Sequence, residues 1–198
     1  MAVIQPTVTR LNKDTCALIT WSNLTLRSGT FTSVGASPVL NWLTGLHGLL
    51  AKDIGTVHYL TPAGGTTGLY QLTAVGSTTT ATFSFVTGNL AAVTVAAAVT
   101  LGDIGGAYSQ ADAVLDRTLQ VHGVFGASGS ISMYGTNDAL NFAVLKDNAG
   151  VGLAVTTTTV RNVFDGPLYF QPMVTVGDAT TSLNAILLLR IQLPRAFQ

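Results

Sequence analysis

The sequence predicts an all-β protein: an antiparallel β-sandwich carrying a β-rich insertion and one short helix. Three observations lead there. Between Arg117 and Arg190 the chain divides into seven short segments, each closed by Gly, Asn, Asp or Pro. Within them apolar and polar residues alternate. Leu119, Val121 and Phe125 fall on one side, Thr118, Gln120 and His122 on the other, the period of a strand covered on one face. Upstream, Gly55–Thr100 is written in Thr, Val and Ala between Gly-Gly, Gly-Ser and Gly-Asn turns, and such side chains suit tightly packed sheets.

In chain order, Met1–Lys13 is a polar lead-in with Val3, Ile4 and Val8 as its apolar residues, and Pro6 keeps it extended. We expect this arm to lie along an adjacent subunit, with Val3 and Ile4 as interface residues. Thr15–Leu24 reads as a strand buried on both faces, with Trp21 as a core anchor. The helix is expected near residues 37–52: Ser37 can cap, Pro38 suits the first helical position, and Val39, Trp42, Leu43, Leu46, Leu49 and Leu50 recur at helical spacing. Trp42, Leu46 and Leu49 form the stripe that would either cover one end of the sandwich or dock on another protein. Val57–Leu60, Gly68–Val75, Thr80–Val86 and Ala91–Val99 follow as strands. Leu101-Gly102-Asp103 turns the chain, and Ala111–Leu115 has room for one helical turn. The seven segments then close the fold, with Gln192–Gln198 as a surface strap.

Composition limits the function. Only 9% of the 198 residues are charged, against about 25% in an ordinary soluble domain. Glutamate is absent, and nine Asp balance nine Lys plus Arg. Such a surface is weakly solvated and prone to association. The cations are scattered singly, with no basic stripe to meet phosphates, so no nucleic-acid partner is expected. No apolar run approaches the ~20 residues that span a bilayer, and Met1–Asn12 lacks the apolar core of a secretion signal; no membrane role is expected. Cys16, the single cysteine, reads as a small core residue.

No residue pattern in the sequence supports chemistry, and no catalytic, cofactor-binding or metal-binding residue is expected. His47, His58 and His122 are far apart and lack metal-ligand spacing. Most Asp residues sit at turns, where they bond to nearby backbone. Asn137, Asp138 and Asn141 supply too few carboxylates for calcium. Ala63–Gly68 lacks the Gly-Lys-Ser/Thr ending of a phosphate loop.

The block G-V-F-G-x-x-G-S-I-S-M-Y-G-T-N-D-x-x-N-F-x-x-L-x-D-x-x-G, from Gly123 to Gly150, resembles small virion proteins of tailed bacteriophages. So do Gln171–Arg190, the opening segment Cys16–Leu24, and Leu101-Gly102-Asp103. The family is the jelly-roll cement or decoration proteins of the outer capsid. The resemblance implies a jelly-roll-like sandwich from 1–24 and 101–198, with 25–100 as an inserted region. It implies a homotrimer on the outer surface of the virion, bound to the major capsid protein and acting by association without catalysis. The alternative is a receptor- or glycan-binding module of a phage fibre or tail, for which Tyr70, Tyr108 and Tyr134 are the aromatic candidates.

Overall fold

A computed structural model of the chain describes residues 3–11, 15–33, 39–63, 66–86, 97–109 and 114–191. Its strands are β1 (Val3–Ile4), β2 (Thr7–Leu11), β3 (Cys16–Ser33), β4 (Val39–Thr44), β5 (Val57–Pro62), β6 (Gly68–Val75), β7 (Ala81–Phe85), β8 (Ala97–Gly102) and β9 (Ile104–Gly105). They continue with β10 (Tyr108–Ser109), β11 (Val114–Val124), β12 (Ser130–Thr136), β13 (Ala143–Val144), β14 (Ala154–Val155), β15 (Thr159–Asn162), β16 (Tyr169–Val176) and β17 (Ser182–Ile191). One 3-10 turn, Ala51–Asp53, is the helical element among the described residues.

Two sheets face each other across one core. The first runs β15-β11-β17-β3-β2; the second runs β1-β9-β16-β12, with β13 and β14 on β12 and β10 on β16. Every second residue of β17 points inward, so Leu183, Ala185, Leu187 and Leu189 are buried, and Ala17, Ile19 and Trp21 of β3 join them. Ile131 and Met133 of β12 and Phe170 and Val174 of β16 meet them from the second sheet.

The stretch 25–100 builds something the sequence does not announce, a closed barrel. The order β3-β4-β7-β6-β5-β8 returns to β3, six antiparallel strands without a free edge. Closure removes the unpaired backbone of a sheet margin. Phe31, Leu40, Trp42, Leu60, Tyr70, Leu72, Phe83, Val99 and Leu101 fill its interior.

β3 belongs to both bodies. Its first half pairs with β17 and β2, its second with β8 and β4. The change of direction is made at Asn23, which has a positive φ of 57°. There the register against β17 slips, so that Trp21 and Leu24 both face the sandwich core. The barrel then leans on the outer face of the second sheet: Tyr59 and Leu69 pack against Tyr134, Ile104 and Met173. That is why all seven residues of β12 are buried, a strand covered on two sides.

The predicted helix near 37–52 is not there. Val39–Thr44 is a strand with Leu40 and Trp42 inside the barrel and Leu43 outside. Gly45 and Gly48 follow with φ of 87° and 70°, left-handed conformations that end any helix. The leucines that suggested a helical stripe lie on opposite sides of a strand and its loop. Ser37 and Pro38, the expected helix start, lie outside the described residues. So do 111–113, and Val114 already belongs to β11 rather than to a helical turn.

Candidate functional site

The most built-up surface feature is the loop from Gly45 to Thr56. β4 and β5 are not neighbours in the barrel, so their connection must cross its end. The crossing is pinned from beneath. Leu49 plugs the barrel at 3% exposure. The buried His47 accepts the Leu49 N–H on Nδ1 at 3.0 Å, so its proton sits on Nε2, which donates to the Ser77 carbonyl at 2.8 Å. Burial holds the His47 pKa below the ordinary histidine value. Trp42 Nε1 donates to the Gly45 carbonyl at 3.1 Å. The buried Asp53 carboxylate accepts the Leu50 N–H at 2.9 Å. A Cβ on Gly45 would stand 2.7 Å from the Ser28 carbonyl, so only glycine lets the loop approach β3.

On this fixed underside the loop displays apolar side chains outward. Leu46 is 63% exposed, and Leu50, Ile54 and Leu43 are exposed beside it in sequence. The residues expected to form one interface therefore separate. Trp42 and Leu49 are internal to the barrel, and Leu46 alone of that stripe faces solvent. Val3 and Ile4 are half-buried against the same chain, Val3 opposite Ile104 and Ile4 opposite Gly105 in a parallel pair. The arm expected along an adjacent subunit is held, over Val3–Ile4 and Thr7–Leu11, by its own β9 and β3.

Elsewhere, carboxylates hold turns. Asp138 accepts from the N–H groups of Leu140 and Asn141 and from Thr136 Oγ1 and Asn141 Nδ2, which keeps it ionised far below the usual carboxylate range. Asp178 accepts from Thr180 Oγ1 and from the N–H groups of Ala127 and Thr180, and its pKa falls to about 2. Asp147 accepts the Val151 and Ala149 N–H groups and pairs with Arg161, with its pKa lowered by those bonds. Asp138 and Asn141 are thus a hydrogen-bonded turn, and Asn137 Oδ1 accepts the Leu168 N–H at 2.8 Å. Among the described residues no three His, Cys, Asp or Glu side chains cluster as metal ligands do.

Of the aromatic candidates for sugar stacking, Tyr70 and Tyr134 are buried and Tyr108 is half-buried. Burial raises the Tyr134 pKa to about 12. A cleft of about 160 Å3 opens where barrel and sandwich meet, lined by Val57, Ile104, Ala139, Phe142 and Gln171 among others.

Two features escaped the sequence reading. His58 is fully buried in the barrel, and its phase with Leu60 and Pro62 in an alternating strand was the available signal. Asp103, read as a turn, is buried at the junction, where its Oδ2 accepts both the N–H and Oγ1 of Thr25 at 2.9 and 2.7 Å. No family model matches the chain, and neither the curated proteins nor the solved structures contain a match.

Proposed function

We propose that the chain is a structural virion protein, a cement or decoration protein that binds the outside of a phage capsid and stabilises it by association without catalysis. In this reading the sandwich half is a jelly roll, the working form is a homotrimer, and the partner is the major capsid protein. The observation that carries it is the outward apolar loop: Leu46, Leu50 and Ile54 are presented from a backbone locked by His47, Asp53 and Trp42. A rigid mount loses little freedom on docking, so a small apolar contact retains more of its gross stabilisation. Repetition over a shell multiplies modest contacts. The 9% charge content supports a surface that spends its life covered.

The test is twofold. Sedimentation of the purified chain at micromolar concentration should give a trimer, and heads of the encoding phage prepared without the protein should bind it and melt at higher temperature. A monomer that leaves such heads unbound and equally heat-sensitive ends the proposal. The receptor- or glycan-binding alternative loses support from the burial of Tyr70 and Tyr134.

A further inference from the structure

His58 sits on β5, fully buried, with its ring edge-on to Phe83 at 5.9 Å between centroids. Thr56 Oγ1 donates to the Asp53 carbonyl at 2.6 Å, which uses its hydrogen. His58 Nε2, 2.6 Å from the same Oγ1, must therefore be the donor in that contact. Burial keeps the ring neutral, so Nδ1 carries a bare lone pair, and among the described residues that buried atom has no hydrogen-bond partner. An unsatisfied acceptor in a core is a standing cost.

Among the described residues, a proton arriving at Nδ1 would find no acceptor. β4, β7 and β8 carry no ionisable residue, and Arg27 of β3 is exposed. Tyr70 of β6 donates to the Thr66 carbonyl, and Tyr59 of β5 faces the second sheet. In the crossing loop, Lys52 is exposed, and the Asp53 carboxylate, which accepts the Leu50 N–H, does not act on His58, whose pKa is set by burial. His47 behaves alike, since a proton on its Nδ1 would confront the Leu49 N–H that now donates to it. We propose that the two histidines make the barrel acid-sensitive: mild acid raises the frequency of barrel opening while leaving the sandwich's opening unchanged.

The sign follows from linkage. Burial depresses the His58 pKa from 6.5 to about 3, so the opened barrel binds a proton that the closed one refuses. Stability is complete above about pH 6.5 and is lost as pH falls toward 3. The sandwich counterparts are the turn carboxylates Asp138, Asp147 and Asp178, whose contribution is lost only below their ordinary value of 3.8.

Hydrogen exchange of the full chain, corrected for intrinsic rates and resolved by peptide, tests this. From pH 7 to pH 5, protection over β4–β7 should fall by about 25-fold from His58 alone, with His47 adding to it. Protection over β11, β12 and β17 should change less than about threefold. His58→Phe, which keeps an aromatic ring beside Phe83, should remove most of the barrel's loss. Should that variant not fold, ring NMR of the unmodified chain decides, because His58 must stay neutral down to pH 5. Barrel protection unchanged at pH 5, equal losses in both bodies, or a folded His58 titrating near 6.5 each overturns the proposal.

Discussion

The two bodies of this chain place their titratable side chains in opposite ways, with Asp103 buried at the junction between them. The sandwich keeps the space between its sheets apolar and its turn carboxylates outside, where Asp138, Asp147 and Asp178 gather the free N–H groups of turns. The barrel puts His47, His58 and Asp53 inside, hydrogen-bonded to its own loops. The lesson concerns closure. A sandwich ends its strands in turns at the surface, where water can help satisfy a tight loop. A closed barrel has an end that a loop must cross, and the polar backbone of that loop needs partners beneath it.

The sharpest break in the comparison is at the seam. A Cβ at Gly102 would lie 1.7 Å from the Val174 carbonyl, backbone against backbone. Gly102→Ala should therefore cost upwards of about 3 kcal/mol, seen as a lowered urea midpoint or a failure to fold. Next come the two tryptophans, both fully buried. Trp21→Ala in the sandwich and Trp42→Ala in the barrel should each cost about 3–5 kcal/mol. Exchange measurements should show Trp42→Ala opening β4–β7 selectively and Trp21→Ala exposing both bodies, because β3 is common to them. Identical profiles for the two variants would mean one cooperative unit.

Asp103→Ala leaves the half-buried Thr25 N–H and hydroxyl without their acceptor and should cost about 1–3 kcal/mol in thermal or urea melts. Asp178→Asn should produce a small loss of stability at pH 7 that shrinks as pH falls below 3.8 and is gone only below about 2. The carboxylate's depressed pKa stabilises the fold above 3.8 and ceases to do so as pH falls through about 2. Smallest of all in stability, Leu46→Ser with Leu50→Ser should shift the melt by less than about 0.5 kcal/mol per site, as exposed positions do. The same pair should abolish co-sedimentation with capsids if the outward loop is the docking surface.

The sandwich strands were legible because each carries its own alternation and its own turn; β17 can be read from Leu183, Ala185, Leu187 and Leu189 alone. The barrel strands β5, β6 and β7 were legible as strands for the same reason. Their closure was not, since it depends on β3 pairing with β4 on one side and β8 on the other, a relation no local pattern carries. The helix is not there although Val39, Trp42, Leu43, Leu46, Leu49 and Leu50 do recur at helical spacing, because periodicity cannot separate a stripe from a strand followed by a loop. What decides is the left-handed backbone at Gly45 and Gly48, which spacing does not reveal. The candidate site was legible only in part. Leu46 is outward, whereas Trp42 and Leu49 were apolar enough to be drawn inward by the barrel's need for filling.

Leu26 and Gly102, where the chain passes into the barrel and out of it, are directly paired neighbours. Opposed residues on antiparallel strands stand about 5 Å apart, the span of a tight hairpin. The whole barrel is in effect a cassette grafted onto the tip of one ribbon. Two residues of turn would span the gap left by its removal, but the cut would also strip Tyr59 and Leu69 from Tyr134, Ile104 and Met173 and bare the outer face of the second sheet.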